Sequence, residues 1–263
     1  MKSWHMTGKI LPLVSVLVYF FLWISAIVLI VYSFSNDSFG IRWTGFTLRW
    51  YSEVFKDASA VSALKSSLFI SFVTVIVSTI AGTLAAYGLY KYKFRGRSAL
   101  RMAALLPITI PYVVTAGALL VFFTKVIHIP LGYPAIIIAH ISFSTPLAVF
   151  VVLGRMARID WTLEEASADL GAGTLTTLRK VTVPLLLPAI ISSAALIFPW
   201  SFNDFTITYF VSGVGTMTLP IYVFSLLQYS LTPAIINAIS ALFVIVPLIG
   251  MLLMHFLQKK EVA

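Results

Sequence analysis

Apolar residues in this chain run in six long blocks, approximately residues 10–34, 63–90, 102–124, 131–153, 183–205 and 234–257, with most of the charge in the gaps between them. Each block reaches the length at which a helix crosses the hydrocarbon of a bilayer, about 20 residues. A membrane barrel built of strands would need apolar and polar positions to alternate, and these blocks are continuously apolar. The pattern predicts an all-α, polytopic membrane protein with six transmembrane helices in a single transmembrane domain spanning residues 1–263. No internal repeat recurs at a fixed period. The first block follows Lys2 and Lys9, as a secretory signal would. It outruns the ~7–15 residues of a signal core and lacks a small-residue cleavage site, so it reads as a retained span.

Polar and breaking residues inside the blocks refine this picture. Pro107 and Pro111 predict a kink in the third span. Ser67, Ser71, Thr74 and Ser78 share one face of the second, followed by Gly82 and Ala86, a pattern read as close helix packing rather than solute lining. His128, His140 and His255 share no metal-ligand spacing, and His140 reads as a hydrogen-bonded packing residue. Asp204 is the one acid near the membrane-embedded part, at the outer end of span five. Intramembrane acids are expensive and tend to be functional. At the interface the same residue would be a hydrated or capping group, and both readings stay open.

The gaps carry a topology. With both termini cytoplasmic, the inner segments hold Lys2, Lys9, Lys91, Lys93, Arg95, Arg97, Arg101, Arg155, Arg158, Arg179, Lys180, Lys259 and Lys260. The outer ones hold only Arg42, Arg49, Lys56, Lys65 and Lys125. Thirteen of the 18 basic residues inside is the bias expected of cytoplasmic loops. The outer loop after the first span has Trp43, Trp50 and Tyr51, suited to the headgroup layer. There Thr47 is placed to cap a short helix whose Leu48, Tyr51, Val54 and Phe55 form a lipid-facing stripe.

Composition agrees with the blocks and removes other classes. The chain is 60% hydrophobic and 10% charged, against roughly 45–50% and about 25% in soluble domains. The net charge of +9 does not form a stripe or groove for nucleic acid and is accounted for by the loop bias. Without cysteine there is no disulfide frame and no thiolate metal site. No Gly-x-x-x-x-Gly-Lys-[Ser/Thr] phosphate loop occurs, and no cluster of catalytic or metal-binding residues stands at usable spacing. Neither an enzyme nor a resident cofactor or metal is expected.

The most informative segment is the loop of residues 161–184 between spans four and five. Thr162 followed by Glu165 has the spacing of a capping box at a helix start. Gly171 is placed to end that helix in a left-handed conformation. Thr174 is placed to cap a second helix through Leu175, Leu178 and Val181 that stops near Pro184, with Arg179 and Lys180 in its last turn. Leu163, Ala166 and Leu170 make an apolar stripe on the first helix, and a stripe in a cytoplasmic loop needs a cover.

Glu165-Ala166-Ser167, then Gly171, then Val181-Thr182-Val183-Pro184 keep the spacing of the EAA loop of binding-protein-dependent ABC transporter permeases, which this chain resembles. Ser167, Val181 and Val183 depart from the family's Ala, Ile and Leu. The likeness extends over nearly the whole chain toward the spermidine/putrescine (PotC-type) subfamily. It is carried by Phe39-Gly40-Ile41, Trp43, Gly45-Phe46-Thr47, Trp50-Tyr51, Tyr90 to Gly96, His140 to Phe143, Asp204 and Phe210 to Gly213. The resemblance implies a type I ABC importer permease fold in the cell inner membrane. It also implies a coupling helix at Glu164, Glu165, Ala166, Asp169 and Gly171 that docks on an ATP-binding subunit, itself a dimer. A second permease subunit and an extracytoplasmic solute-binding protein complete the implied partners, with no nucleic acid among them. The cargo implied is a polyamine, with another small solute as the alternative. A flexible polycation calls for carboxylates and aromatic faces, which directs attention to Asp204, Asn203 and Tyr112. Asn203 stands where that subfamily commonly has a second acid, and Tyr112 where it has Asp after Pro111. A self-sufficient channel or secondary transporter would want ionisable residues in several spans, and only Asp204 comes near.

Overall fold

The structure, a computed structural model, describes residues 4–40, 42–229 and 233–262, with side chains over 11–40, 42–228 and 233–256. Lys2 and Ile41 lie outside the described residues, as do the side chains of Lys9, Lys259 and Lys260. In chain order the helices are α1 (Trp4–Tyr32), α2 (Arg49–Lys56), α3 (Ala58–Lys91), α4 (Arg97–Ala103), α5 (Leu106–Thr109), α6 (Tyr112–Val121) and α7 (Tyr133–Met156). They continue as α8 (Thr162–Asp169), α9 (Thr174–Thr177), α10 (Val183–Phe202), α11 (Thr206–Val211), α12 (Leu219–Tyr229) and α13 (Pro233–Val262). Two π-helical turns, Phe122–Val126 and Leu178–Thr182, extend α6 and lead into α10.

Among the described residues, five helical stretches are long and apolar enough to cross a membrane, and a bent pair makes a sixth. The bent pair corrects the expectation of one kinked span over 102–124. Residues Arg97–Thr109 and Tyr112–Val126 meet at 105°. Ile110 and Pro111 are both extended, with ψ of 137° and 130°. A proline ring disfavours the α conformation in the residue before it, and Pro111 has no N–H for the helical ladder. The chain therefore stops one helix and starts another. α11 and α12 were not foreseen, being too short or too near a loop to register as spans.

The chain divides into two compact units, Met1–Val61 with Tyr222–Val246 and Ser62–Ile221 with Pro247–Ala263. In the first, the segment after α1 is ordered by its own polar groups. The Trp50 indole N–H donates to the Ser35 carbonyl at 2.7 Å, and the hydroxyls of Ser33 and Tyr51 pair at 2.6 Å. Phe34 stacks on Phe46 at 5.5 Å. This pull inward revises the α2 stripe: Trp50 and Val54 are buried, Tyr51 is half-buried, and only Leu48 and Phe55 remain exposed. Thr47 does not cap in the expected way. Its hydroxyl accepts from Arg49 N–H, two residues on, and the helix begins after Leu48. The Tyr222 hydroxyl donates to Asp57, tying α12 to the start of α3.

In the second unit α7 packs along α10, and two apolar clusters form. One gathers Ile70, Ala116, Phe123, Ile136, Phe143 and Ile207; the other Leu89, Val149, Val152, Met156 and Leu186. The hydroxyl face of α3 is packed as expected: Ser67, Ser71, Thr74 and Ser78 are all buried. Gly82 explains how closely α3 and α7 approach. A Cβ there would stand 2.4 Å from the Ala148 Cβ and 3.0 Å from the Thr145 carbonyl oxygen.

Candidate functional site

Two polar constellations stand out in the second unit. The first surrounds Asp204, in the turn between α10 and α11. Its side chain is 1% exposed. One carboxylate oxygen accepts from the Tyr112 hydroxyl at 2.8 Å. The other accepts from the Thr208 N–H and hydroxyl, both at 2.8 Å, and lies 3.2 Å from His140 Nε2. His140 Nε2 is also 2.9 Å from the Thr208 hydroxyl, and Nδ1 is 2.7 Å from Ser201. Asp204 thus satisfies a free N–H in the first turn of α11, as an acid at a helix start does.

The capping reading and a role in joining three elements are therefore both met by one side chain. Asp204 joins the α10–α11 corner to α7 through His140. Through Tyr112 it reaches α6, one residue past the break in the third span. Phe143 fills the space between them, with ring centres 5.6 Å from Tyr112, 5.3 Å from His140 and 6.4 Å from Trp200. Beside the acid opens a cavity of about 350 Å³ lined by Tyr112, Trp200, Asn203, Asp204, Phe205 and Thr206. Asn203 lies exposed at its rim, while Asp204 stands behind it. The structure thus brings together Asp204, Asn203 and Tyr112, and adds His140, Ser201 and Thr208. Thr208 sits one helical turn after Asp204, a spacing visible in the sequence; nothing local linked His140 to either.

The second constellation is the loop between α7 and α10. The expected capping box is absent. Asp160 accepts from the Thr162 N–H at 3.1 Å and hydroxyl at 2.8 Å, so Thr162, already the first helical residue after Trp161, is a donor and not the cap. Those bonds hold the exposed Asp160 carboxyl below the usual carboxylate range. Gly171 does end α8 in the left-handed region, at φ +79°, with Ala172 N–H bonded back to the Ser167 carbonyl at 3.1 Å.

Beyond it the second helix neither takes its cap from Thr174 nor stops near Pro184. Gly173 occupies the cap position, and the helix runs through a π turn at Leu178–Thr182 into α10. Pro184 directly follows that π turn, where the regular helical ladder is already interrupted. Arg179 and Lys180 therefore sit in mid-helix rather than at a helix end.

The loop's side chains divide sharply. Glu165, Ala166, Asp169 and Gly171 are exposed, as are Leu163 and Leu170. Glu164 is buried: it pairs with Lys91 at the end of α3 and accepts from the Thr182 hydroxyl. Trp161 stacks on Tyr90 at 5.1 Å. Sequence reasoning grouped Glu164 with its exposed neighbours because its partners lie 73 and 18 residues away.

Residues 78–261, which include both constellations, match the profile of the family described as binding-protein-dependent transport system inner membrane component. The chain belongs to this family. It is 35% identical over 244 residues to the spermidine/putrescine transport system permease protein PotC of Haemophilus influenzae, covering 93% of this chain and 94% of that one. It is 34% identical over 249 residues to the putrescine transport system permease protein PotI of Escherichia coli K12, covering 92% and 88%. Among solved structures, a bacterial transporter that imports alginate aligns over 99% of both chains, with a TM-score of 0.74 at 17% identity. The methionine transporter MetNI in an inward-facing conformation aligns over 82% of this chain and 99% of that one, with a TM-score of 0.62 at 16% identity. This permease therefore has the fold of ABC importer membrane subunits.

Proposed function

We propose that this permease forms half of the translocation pathway of an ATP-driven importer for polyamines of the spermidine/putrescine class. The carrying observation is the whole-length likeness, above 30% identity, to permeases named for those solutes. The cavity beside Asp204 supports the same reading. A carboxylate backed by Tyr112, with Trp200 and Phe205 on the walls, offers an ammonium group one negative charge and several ring faces.

ATP is hydrolysed in a separate subunit, since this chain has no phosphate loop. That subunit docks on α8 through the exposed Glu165, Ala166, Asp169 and Leu170 and the turn at Gly171, covering the apolar stripe. Both termini then lie in the cytoplasm, a reading that the bias of basic residues supports. A second permease subunit completes the pathway, and an extracytoplasmic binding protein delivers the solute. Closure and opening follow from rigid-body movement of helices passed through the loop.

The test is uptake of labelled putrescine and spermidine by membranes carrying the complete transporter, together with mass spectrometry of what its binding protein carries. ATP-dependent uptake and a bound polyamine are expected. Uptake that persists without an ATPase, or with Glu165 and Gly171 both replaced, would overturn the coupling. A second reading keeps the importer class with a different small solute. It is favoured by Asn203 and Tyr112, which stand where polyamine permeases commonly carry acids, and a binding protein loaded with another compound would select it.

A further inference from the structure

Glu164 is set apart from every other acid near the loop. Asp160, Glu165 and Asp169 are exposed, whereas Glu164 is turned inward with both carboxylate oxygens engaged. Oε2 accepts from Lys91, the last residue of α3; Oε1 accepts from Thr182, the residue before α10 begins. One side chain thereby joins α8 to the ends of two membrane helices. A neighbouring contact repeats the first link: the Trp161 indole lies on the Tyr90 ring and donates to its hydroxyl at 3.1 Å. A further bond closes the far side of the loop, with the Ser167 and Thr177 hydroxyls 3.0 Å apart. Lys91 also lies over the Tyr87 ring at 5.3 Å, which restrains its long side chain.

We propose that Lys91, Glu164 and Thr182 form a latch that makes α8 move as one body with the ends of α3 and α10. They are positioning residues for energy coupling, not contacts to the ATPase. The proposal rests on the reading above, in which α8 receives the ATPase's movement. A helix joined to the membrane part only by the turns at Asp160 and Gly171–Gly173 would tilt when pushed, and the push would be lost in the turns. Fixing it at both ends passes the displacement on. The π turn at Leu178–Thr182 ends on the residue that bonds Glu164, and such turns recur at functional positions.

The experiment uses the complete transporter in proteoliposomes, with labelled putrescine as probe and phosphate release measured in parallel. In Glu164→Gln and Lys91→Met, the ATPase should still co-purify, while putrescine imported per ATP hydrolysed falls by about three-fold or more. Thr182→Val, which removes only one hydroxyl, should fall less. The charge exchange Lys91→Glu with Glu164→Lys should recover most of the ratio, which a merely structural loss would not do. If Glu164→Gln fails to assemble, Thr182→Val and the exchange still decide the matter. An unchanged ratio in the assembled variants overturns the latch. So does loss of the ATPase from a well-folded Glu164→Gln, which would make Glu164 a docking contact. A wild-type chain that binds no ATPase, or imports without ATP, would instead refute the reading on which the latch rests.

Discussion

Replacing Asp204 in two ways separates its structural duty from its electrostatic one. Asn fits the site if its amide takes one orientation. With the carbonyl where three donors converge, it still accepts from Thr208 and His140, and its NH₂ donates to the Tyr112 oxygen in place of the bond that oxygen gave. Charge assistance is lost, about 1 kcal/mol for each strong bond, and the Tyr112 proton has to turn to another acceptor. Leu offers no acceptor at all. It leaves Tyr112, His140 and Thr208 buried with lost partners, at about 1–3 kcal/mol each. Asp204→Asn should therefore fold and assemble at near-normal yield, while Asp204→Leu should assemble poorly.

Transport should divide differently. A carboxylate about 5 Å from a passing ammonium, at an effective dielectric near 20, attracts it by about 3 kcal/mol before desolvation. Putrescine uptake by Asp204→Asn should then drop about ten-fold or more, even in a fully assembled complex. The assay is initial uptake rate normalised to complex recovered by size-exclusion chromatography. Full uptake by Asp204→Asn would remove the acid from the cation's path. Assembly lost equally in both variants would refute the donor accounting.

Other expectations follow from single contacts. Gly82→Val should lower thermal stability in detergent by about 1–3 kcal/mol, because overpacking has no slack to draw on between α3 and α7; an unchanged melting curve would deny the close approach. Gly171→Val places a β-branched residue in the left-handed region, at about 1–2 kcal/mol, and should weaken ATPase co-purification while α7 and α10 remain folded. Tyr222→Phe tests a pH dependence. The Tyr222 hydroxyl, ahead of the Ser59 and Ala60 N–H groups, holds the Asp57 carboxyl below its ordinary value against the opposing effect of burial. A depressed carboxylate pKa stabilises the fold above the unfolded value, near 4, and that support disappears as pH falls through the folded one. The stability advantage of the wild type over Tyr222→Phe should be full at neutral pH and shrink below about pH 4; an advantage independent of pH would assign the contact to packing alone.

What could be read in advance and what could not divide along a physical line. The spans were legible because a bilayer demands unbroken runs such as Ala58–Lys91 and Tyr133–Met156, and a run is a local property. The turn at Gly171 was legible for a similar reason, since a glycine after a helix is a local backbone preference. The capping box was misread because Thr162 had two acceptable neighbours. Asp160 lay two residues before the position that the Thr162–Glu165 spacing singled out, and it took both of threonine's donors. Glu164 was beyond local reading, and so was Asp204 apart from its bond to Thr208, one helical turn on. Their remaining partners are brought near only when α3, α7 and α10 have packed, so an inward acid and an outward one look alike in sequence.

The third span shows where the boundary falls. Pro111 guaranteed a disturbance at Ile110, but a proline in a membrane helix is compatible with anything from a mild kink to a full break. Here the freed backbone at Ile110 and Pro111 goes fully extended, and the two halves meet at 105°. Tyr112 then opens the new helix with its hydroxyl held by Asp204, so a residue 92 positions away helps fix how the halves are set. The same contact places an aromatic ring and an acid side by side next to the break. The chain breaks at Pro111 and is held at Tyr112, so the break in the span and the candidate cation contact stand in one place, which is the arrangement expected if solute passage is to depend on how the two halves are set.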